Sequence, residues 1–93
     1  MNNLQELLKT LGIKGNPESE DTGHWVVAIE SSNAFNKLYS KLEKMEDFTQ
    51  DDSEFNISEE SSHVVFLGDY FALEMSADFV NDQYQLDIYE VED

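Results

Sequence analysis

SHVVFLGDYFALEMSADFVNDQYQLDIYEVED, Ser62 to Asp93, decides the fold. Two pairs of turn residues, Gly68-Asp69 and Asn81-Asp82, divide it into three runs of alternating polarity. Residues of this kind tolerate the positive φ of two-residue hairpin loops, so the stretch predicts a three-stranded antiparallel meander. Loops at those positions also set a register. Leu67 is then expected opposite Tyr70, Phe66 opposite Phe71 and Val64 opposite Leu73. In the second hairpin Phe79 is expected opposite Tyr84, Ala77 opposite Leu86 and Met75 opposite Ile88. Val64, Phe66, Phe71, Leu73, Met75, Ala77, Phe79, Tyr84, Leu86 and Ile88 then share one apolar face. Two independently placed turns converge on that one face, and a single-residue slip would scatter it.

The opposite face is mixed. His63, Glu74, Ser76, Asp78, Gln85, Asp87 and Tyr89 alternate there with Val65, Leu67, Tyr70, Ala72, Val80 and Val91. An antiparallel sheet solvated on one side has this pattern. So does a binding face, and no Lys or Arg lies in the stretch to neutralise its acids. Glu74 to Asp78 spans about 13 Å at about 3.4 Å per strand residue, long enough to follow a short run of nucleic-acid backbone.

Working outward, the preceding segment EDFTQDDSEFNISEESS (46–62) holds seven acids among Ser and Thr. It predicts a mobile acidic loop, a short strand around Phe55 to Ser58, and an acidic turn at Glu59-Glu60. Ser31 or Ser32 can cap a helix reaching about Met45, with Phe35, Leu38, Leu42 and Met45 as its apolar stripe. Lys37, Lys41 and Lys44 fall on its solvent side, where they suit the helix dipole. HWVVAIE (24–30) predicts a strand with Trp25, Val27 and Ile29 facing the core. KGNPESEDTG (14–23) is expected to be a loop; its Glu18, Glu20 and Asp21 lack the ligand spacing of a calcium loop. Leu4, Leu7, Leu8 and Leu11 lie at helical spacing within residues 2–12, with Asn2 or Asn3 as cap and Gly12 as stop. The expected fold is α+β: one domain over residues 1–93, in the order α-β-α-β-β-β-β. Its small antiparallel β-sheet carries two helices packed on one face.

Charge sets the functional question. The net charge is −16, whereas a small soluble domain commonly carries a magnitude of about 2–8. There is no Arg, and all five lysines precede residue 45. Residues 1–44 carry six acids and five lysines, net −1; residues 45–93 carry fifteen acids and no base, net −15. Such a surface repels nucleic acid and anionic membrane and attracts basic proteins. At 40% hydrophobic residues the chain is too apolar to be wholly disordered. Without Cys it has no disulfide or thiolate chemistry, which suits a reducing cytoplasm. Neither a secretory leader nor a membrane span is legible. The cytoplasm, that of the host cell if the chain is phage-encoded, is therefore the expected compartment. The chain is expected to act as a monomer or homodimer.

No catalytic constellation stands out. His24 and His63 are far apart in sequence and form no ligand motif, and a phosphate-binding Gly-rich loop is missing. Carboxylate pairs at this density arise by chance. The expectation is a binding protein rather than an enzyme, with no metal or cofactor.

A carboxylate accepts the same charge-assisted, often bidentate, bonds from Arg as a phosphate does. The leading expectation is therefore an inhibitor whose acidic surface occupies the groove of a basic nucleic-acid-binding protein, a nuclease or CRISPR effector. The contact residues would be Asp51, Asp52, Glu54, Glu59 and Glu60 in an acidic arm, then Glu74, Asp78, Asp87, Tyr89 and Glu90 on the sheet. In size, acidity, lack of cysteine and α+β character the chain is similar to small acidic phage proteins that disable host defences, among them anti-CRISPR, anti-restriction and glycosylase-inhibiting proteins. That resemblance implies DNA or RNA mimicry and carries over no residue. An immunity protein or antitoxin against a basic nuclease toxin would use the same electrostatics. A non-inhibitory interaction or assembly module, acidic for solubility alone, would have no salt-sensitive partner.

Overall fold

The computed structural model describes residues 3–13, 17–51 and 56–91. Among them the chain runs α1 (Leu4–Leu11), β1 (Glu18–Asp21), β2 (His24–Ile29), α2 (Ser32–Lys44), β3 (Phe48–Gln50), β4 (Asn56–Ile57), β5 (Ser61–Gly68), β6 (Phe71–Asp78) and β7 (Gln83–Glu90). This is the expected α+β order, with the short strands β1 and β3 added to it. The sheet is antiparallel, in the order β1-β2-β7-β6-β5-β3, and β4 pairs with the same edge of β5 as β3.

Local chemistry fixes both helices. The Asn3 side chain accepts from the Glu6 N–H at 2.8 Å, and the Gly12 N–H returns to the Leu8 and Lys9 carbonyls. Ser31 caps α2 by accepting from the Ala34 N–H at 3.2 Å, satisfying a donor that the first helical turn leaves without an intrahelical partner. Leu7 and Leu11 of α1 join Phe35, Leu38 and Leu42 of α2 in one core with Val27, Val64, Phe66, Leu73, Met75, Leu86 and Ile88 of the sheet. Phe35 tilts against Tyr84 and Tyr39 meets Phe66 edge-on, both with centroids 5.8 Å apart.

The position of the first long strand, undecided by sequence pattern, follows from α2. β2 pairs with β7, so β2 and β3 lie four strand spacings apart, about 19 Å. They run in the same direction and need a crossover. α2 makes that crossover, packing Phe35, Leu38 and Leu42 over the inner face on its way back to the start of β3.

Both hairpins depart from the expected register by two residues. Leu67 lies opposite Ala72, Phe66 opposite Leu73 and Val64 opposite Met75. The first turn is Asp69-Tyr70, because Gly68 stays in β5 beneath the ring of Phe48. A Cβ there would lie 2.8 Å from Phe48 Cε1. In the second hairpin Ala77 lies opposite Tyr84, Met75 opposite Leu86 and Leu73 opposite Ile88. Its loop has four residues, Phe79 to Asp82, because the Asp78 carboxylate accepts from the Val80 and Asn81 N–H groups and holds a wider turn. Phe79 consequently leaves the strand and packs at the core margin. A shift of two keeps every side chain on its face, and the other nine residues of the expected apolar face are buried.

Residues 14–23, expected to be a loop, contain β1. The Thr22-Gly23 turn closes a hairpin with β2, and Gly23 at φ 76° supplies the left-handed residue it requires. Within the expected acidic loop, Phe48 is buried and draws β3 onto β5. Among the described residues no helix is long and apolar enough to cross a membrane.

Candidate functional site: the open face of the sheet

Both helices cover one face of the sheet. The other face is open, and the registers show what it presents. Glu18 lies opposite Val26, Val26 opposite Asp87, Asp87 opposite Glu74, and Glu74 opposite Val65. Beyond Val65, Asp51 continues from β3 and donates its N–H to the Val65 carbonyl at 2.8 Å. These six positions form one line across the strands, about 24 Å long at about 4.8 Å per strand. Four of the six are carboxylates. No strand carries a lysine; among the described residues Lys9 lies on α1, and Lys37, Lys41 and Lys44 on α2.

The centre of the line is the most structured part. Asp87 and Glu74 are direct cross-strand neighbours, an arrangement that like charges disfavour. Each is engaged by a histidine: His24 Nε2 lies 3.0 Å from Asp87 Oδ2, and His63 Nε2 lies 3.0 Å from Glu74 Oε1. His63 reaches Glu74 along a diagonal, because it pairs with Ser76 across the strands. Gln85 Nε2 donates to Asp87 Oδ1 at 2.6 Å, and the Tyr89 hydroxyl makes a longer contact of 3.4 Å to Oδ2. His24 stacks on Tyr89 with centroids 4.3 Å apart. Crowded by these groups, Asp87 is only 9% exposed although no helix covers it. Burial first, then the charges of Glu74 and Asp87, raise the Tyr89 phenol above its ordinary range.

The residues expected to make contact divide into separate groups. Asp51, Glu74, Asp87 and Tyr89 share the open face. Glu59 and Glu60 are exposed in the turn before β5, where the Ser58 hydroxyl accepts from the Glu60 and Ser61 N–H groups. The Phe79 N–H donates to the Glu60 carbonyl, which puts this turn beside the Asp78 loop. Asp78 spends its carboxylate on its own loop. The Asn81 side-chain amide, then the Asn81 N–H and last the Val80 N–H, hold its carboxyl below the ordinary range against an opposing desolvation. Glu90 has the strand parity of Leu86 and Ile88, so it projects toward the helix side, at the end of the sheet beside Gly23. Asp52 and Glu54 lie outside the described residues.

Two participants were not among the expected contacts. Glu18 reaches the line through β1, and the alternation of Glu18 and Glu20 ahead of Thr22-Gly23 was its sequence signal. His24 reaches Asp87 only through the β2–β7 pairing, for which the sequence gives no local sign. Among the described residues, no group of three or more His, Cys, Asp or Glu side chains is arranged to hold a metal ion. Chemically, the face offers carboxylate acceptors, two imidazoles and an aromatic stack. No protein-family model, curated protein or solved structure matches this chain.

Proposed function

We propose that this protein acts by binding rather than catalysis. It would inhibit a host defence protein by placing its open face in that protein's basic nucleic-acid-binding groove. A guide-loaded CRISPR effector is the favoured target, since its duplex and PAM-reading channels are lined with Arg and Lys. The observation that carries the reading is the segregation of charge: Glu18, Asp87, Glu74 and Asp51 line the open face, while every described lysine sits on the helices. Phosphate contacts supply much of the affinity of nucleic-acid-binding proteins. A preformed line of carboxylates offers the same guanidinium groups a ligand whose backbone is already ordered.

The test is capture from bacterial lysate containing a guide-loaded effector, using tagged protein at low and then raised salt. The expected result is one basic nucleic-acid-binding protein, released by salt and displaced by its own DNA or RNA. Retention of a nuclease toxin instead would identify an immunity protein. An empty bait, or a neutral partner indifferent to salt, would refute groove occupation.

A further inference from the structure

The described surface exposes four large hydrophobic residues: Leu67 at 47%, Tyr70 at 52%, Val80 at 70% and Val91 at 39%. Three of them lie at one end of the sheet, Leu67 on the open face and Tyr70 and Val91 at its edge. Leu67 lies opposite Ala72 and Ala72 opposite Tyr89. One step further the Val91 N–H donates to the Tyr70 carbonyl at 2.9 Å, bringing Tyr70 and Val91 side by side. Alternation along the strands puts Leu67, Ala72 and Tyr89 on the face of Glu74 and Asp87, and the Val91–Tyr70 backbone bond continues the β6–β7 pairing at its edge. The carboxylate line begins about 7 Å from Tyr89, two strand residues along.

We propose that Leu67, Tyr70, Tyr89 and Val91 form an apolar anchor for a cationic protein surface in which an aromatic or aliphatic side chain stands among arginines. The proposal rests on the inhibitor reading for the partner's identity and adds its contact chemistry. Charge selects this occupant. The corner is bordered by Asp69 in the adjoining turn and by the Asp87–Glu74 pair, with no Lys or Arg on any strand. A second copy of the chain would bring one −16 molecule against another. Protein interfaces join these ingredients, with Tyr and Arg enriched where contacts count and apolar residues excluding water around them. A carboxylate line alone would give binding that salt removes; the anchor supplies a component that salt leaves in place.

The test uses two synthetic hexapeptides of equal charge, one alternating Arg and Trp, the other Arg and Ser. Binding is followed by calorimetry and by amide chemical-shift mapping. The Arg–Trp peptide is expected to bind about tenfold more tightly, the value of one apolar anchor residue. That ratio should persist at raised salt, with shifts centred on Leu67, Tyr70 and Val91. The Leu67→Asn/Tyr70→Ser double variant alters only exposed side chains and should remove the ratio while leaving Arg–Ser binding intact. Equal affinities, shifts centred elsewhere, or dimers in sedimentation at raised salt would overturn the anchor. An empty lysate capture with the peptide ratio intact would instead refute the inhibitor reading and retain the anchor.

Discussion

Substituting alanine for Gly68 sets two effects of opposite sign against each other. Gly68 ends β5 without a positive φ, so an added methyl group would restrict the unfolded chain and stabilise the fold by about 0.5–1 kcal/mol. The space for that methyl is already filled. A Cβ at Gly68 would lie 2.8 and 2.9 Å from two ring carbons of Phe48 and 3.1 Å from the Asp47 carbonyl oxygen. Phe48 is buried and part of β3, so the ring cannot yield without moving the strand. Overpacking of this kind costs about 1–3 kcal/mol. The steric effect wins, and Gly68→Ala is expected to destabilise by about 1 kcal/mol net, lowering the melting midpoint by about 4–8 °C in a domain of this size. Urea denaturation followed by circular dichroism measures it. Phe48→Ala removes the two closest contacts and leaves the Asp47 carbonyl at 3.1 Å, so adding Gly68→Ala in that background should cost clearly less than in the parent. A Gly68→Ala protein as stable as the parent, or equal effects in the two backgrounds, would refute the claim that Phe48 holds Gly68 in the strand and the first turn at Asp69-Tyr70.

Leu86 is fully buried at the centre of β7, and Leu86→Ala should cost about 2.7–5 kcal/mol by urea denaturation. The carboxyl of Asp78 is held below its ordinary value by Asn81 and Val80, so its stabilisation is present above that ordinary value and lost as pH falls through the lowered folded value. Asp78→Ala should therefore lower the urea midpoint at neutral pH, with the gap to the parent closing in strong acid. Burial first raises the phenols of Tyr84 and Tyr89, so their contribution is present below about pH 10 and lost as pH rises through the raised folded values. A Tyr84→Phe/Tyr89→Phe variant should show a flatter alkaline stability limb, and ultraviolet titration of the parent should find two phenols ionising late.

The parts of the fold legible in the sequence are those with local signatures. Asn3, Gly12 and Ser31 announce helix ends, and the alternation from Val64 to Ile88 announces which side chains are buried. Its exact pairings were not legible. Turn position depended on a distant contact, Phe48 over Gly68, and on the wider loop that Asp78 holds. Since both slips were of two residues, the faces survived them. β1 and β3 are short and owe their pairing to neighbours rather than to their own pattern. The candidate site follows the same division. Glu74, Asp87 and Tyr89 could be placed on one face from parity alone. The line joining Glu18 to Asp51 required the strand order, which links residues far apart in sequence. Asp78 looks like a free contact in the sequence because composition does not reveal that a carboxylate serves its own turn.

The crossover of α2 has a consequence beyond packing. By laying Lys37, Lys41 and Lys44 over the back of a sheet whose front carries the acids, it makes the molecule an electric dipole. Near any positively charged surface, within the roughly 8–10 Å over which physiological salt leaves a field, the molecule experiences a torque before it experiences contact. The open face turns inward and the helices turn away, so fewer encounters are misoriented. Exchanging those three lysines for glutamates would leave the front untouched while removing the torque. A smaller share of encounters should then be productive, even though the added negative charge strengthens the overall attraction, while dissociation keeps its rate, a kinetic signature of orientation acquired in flight.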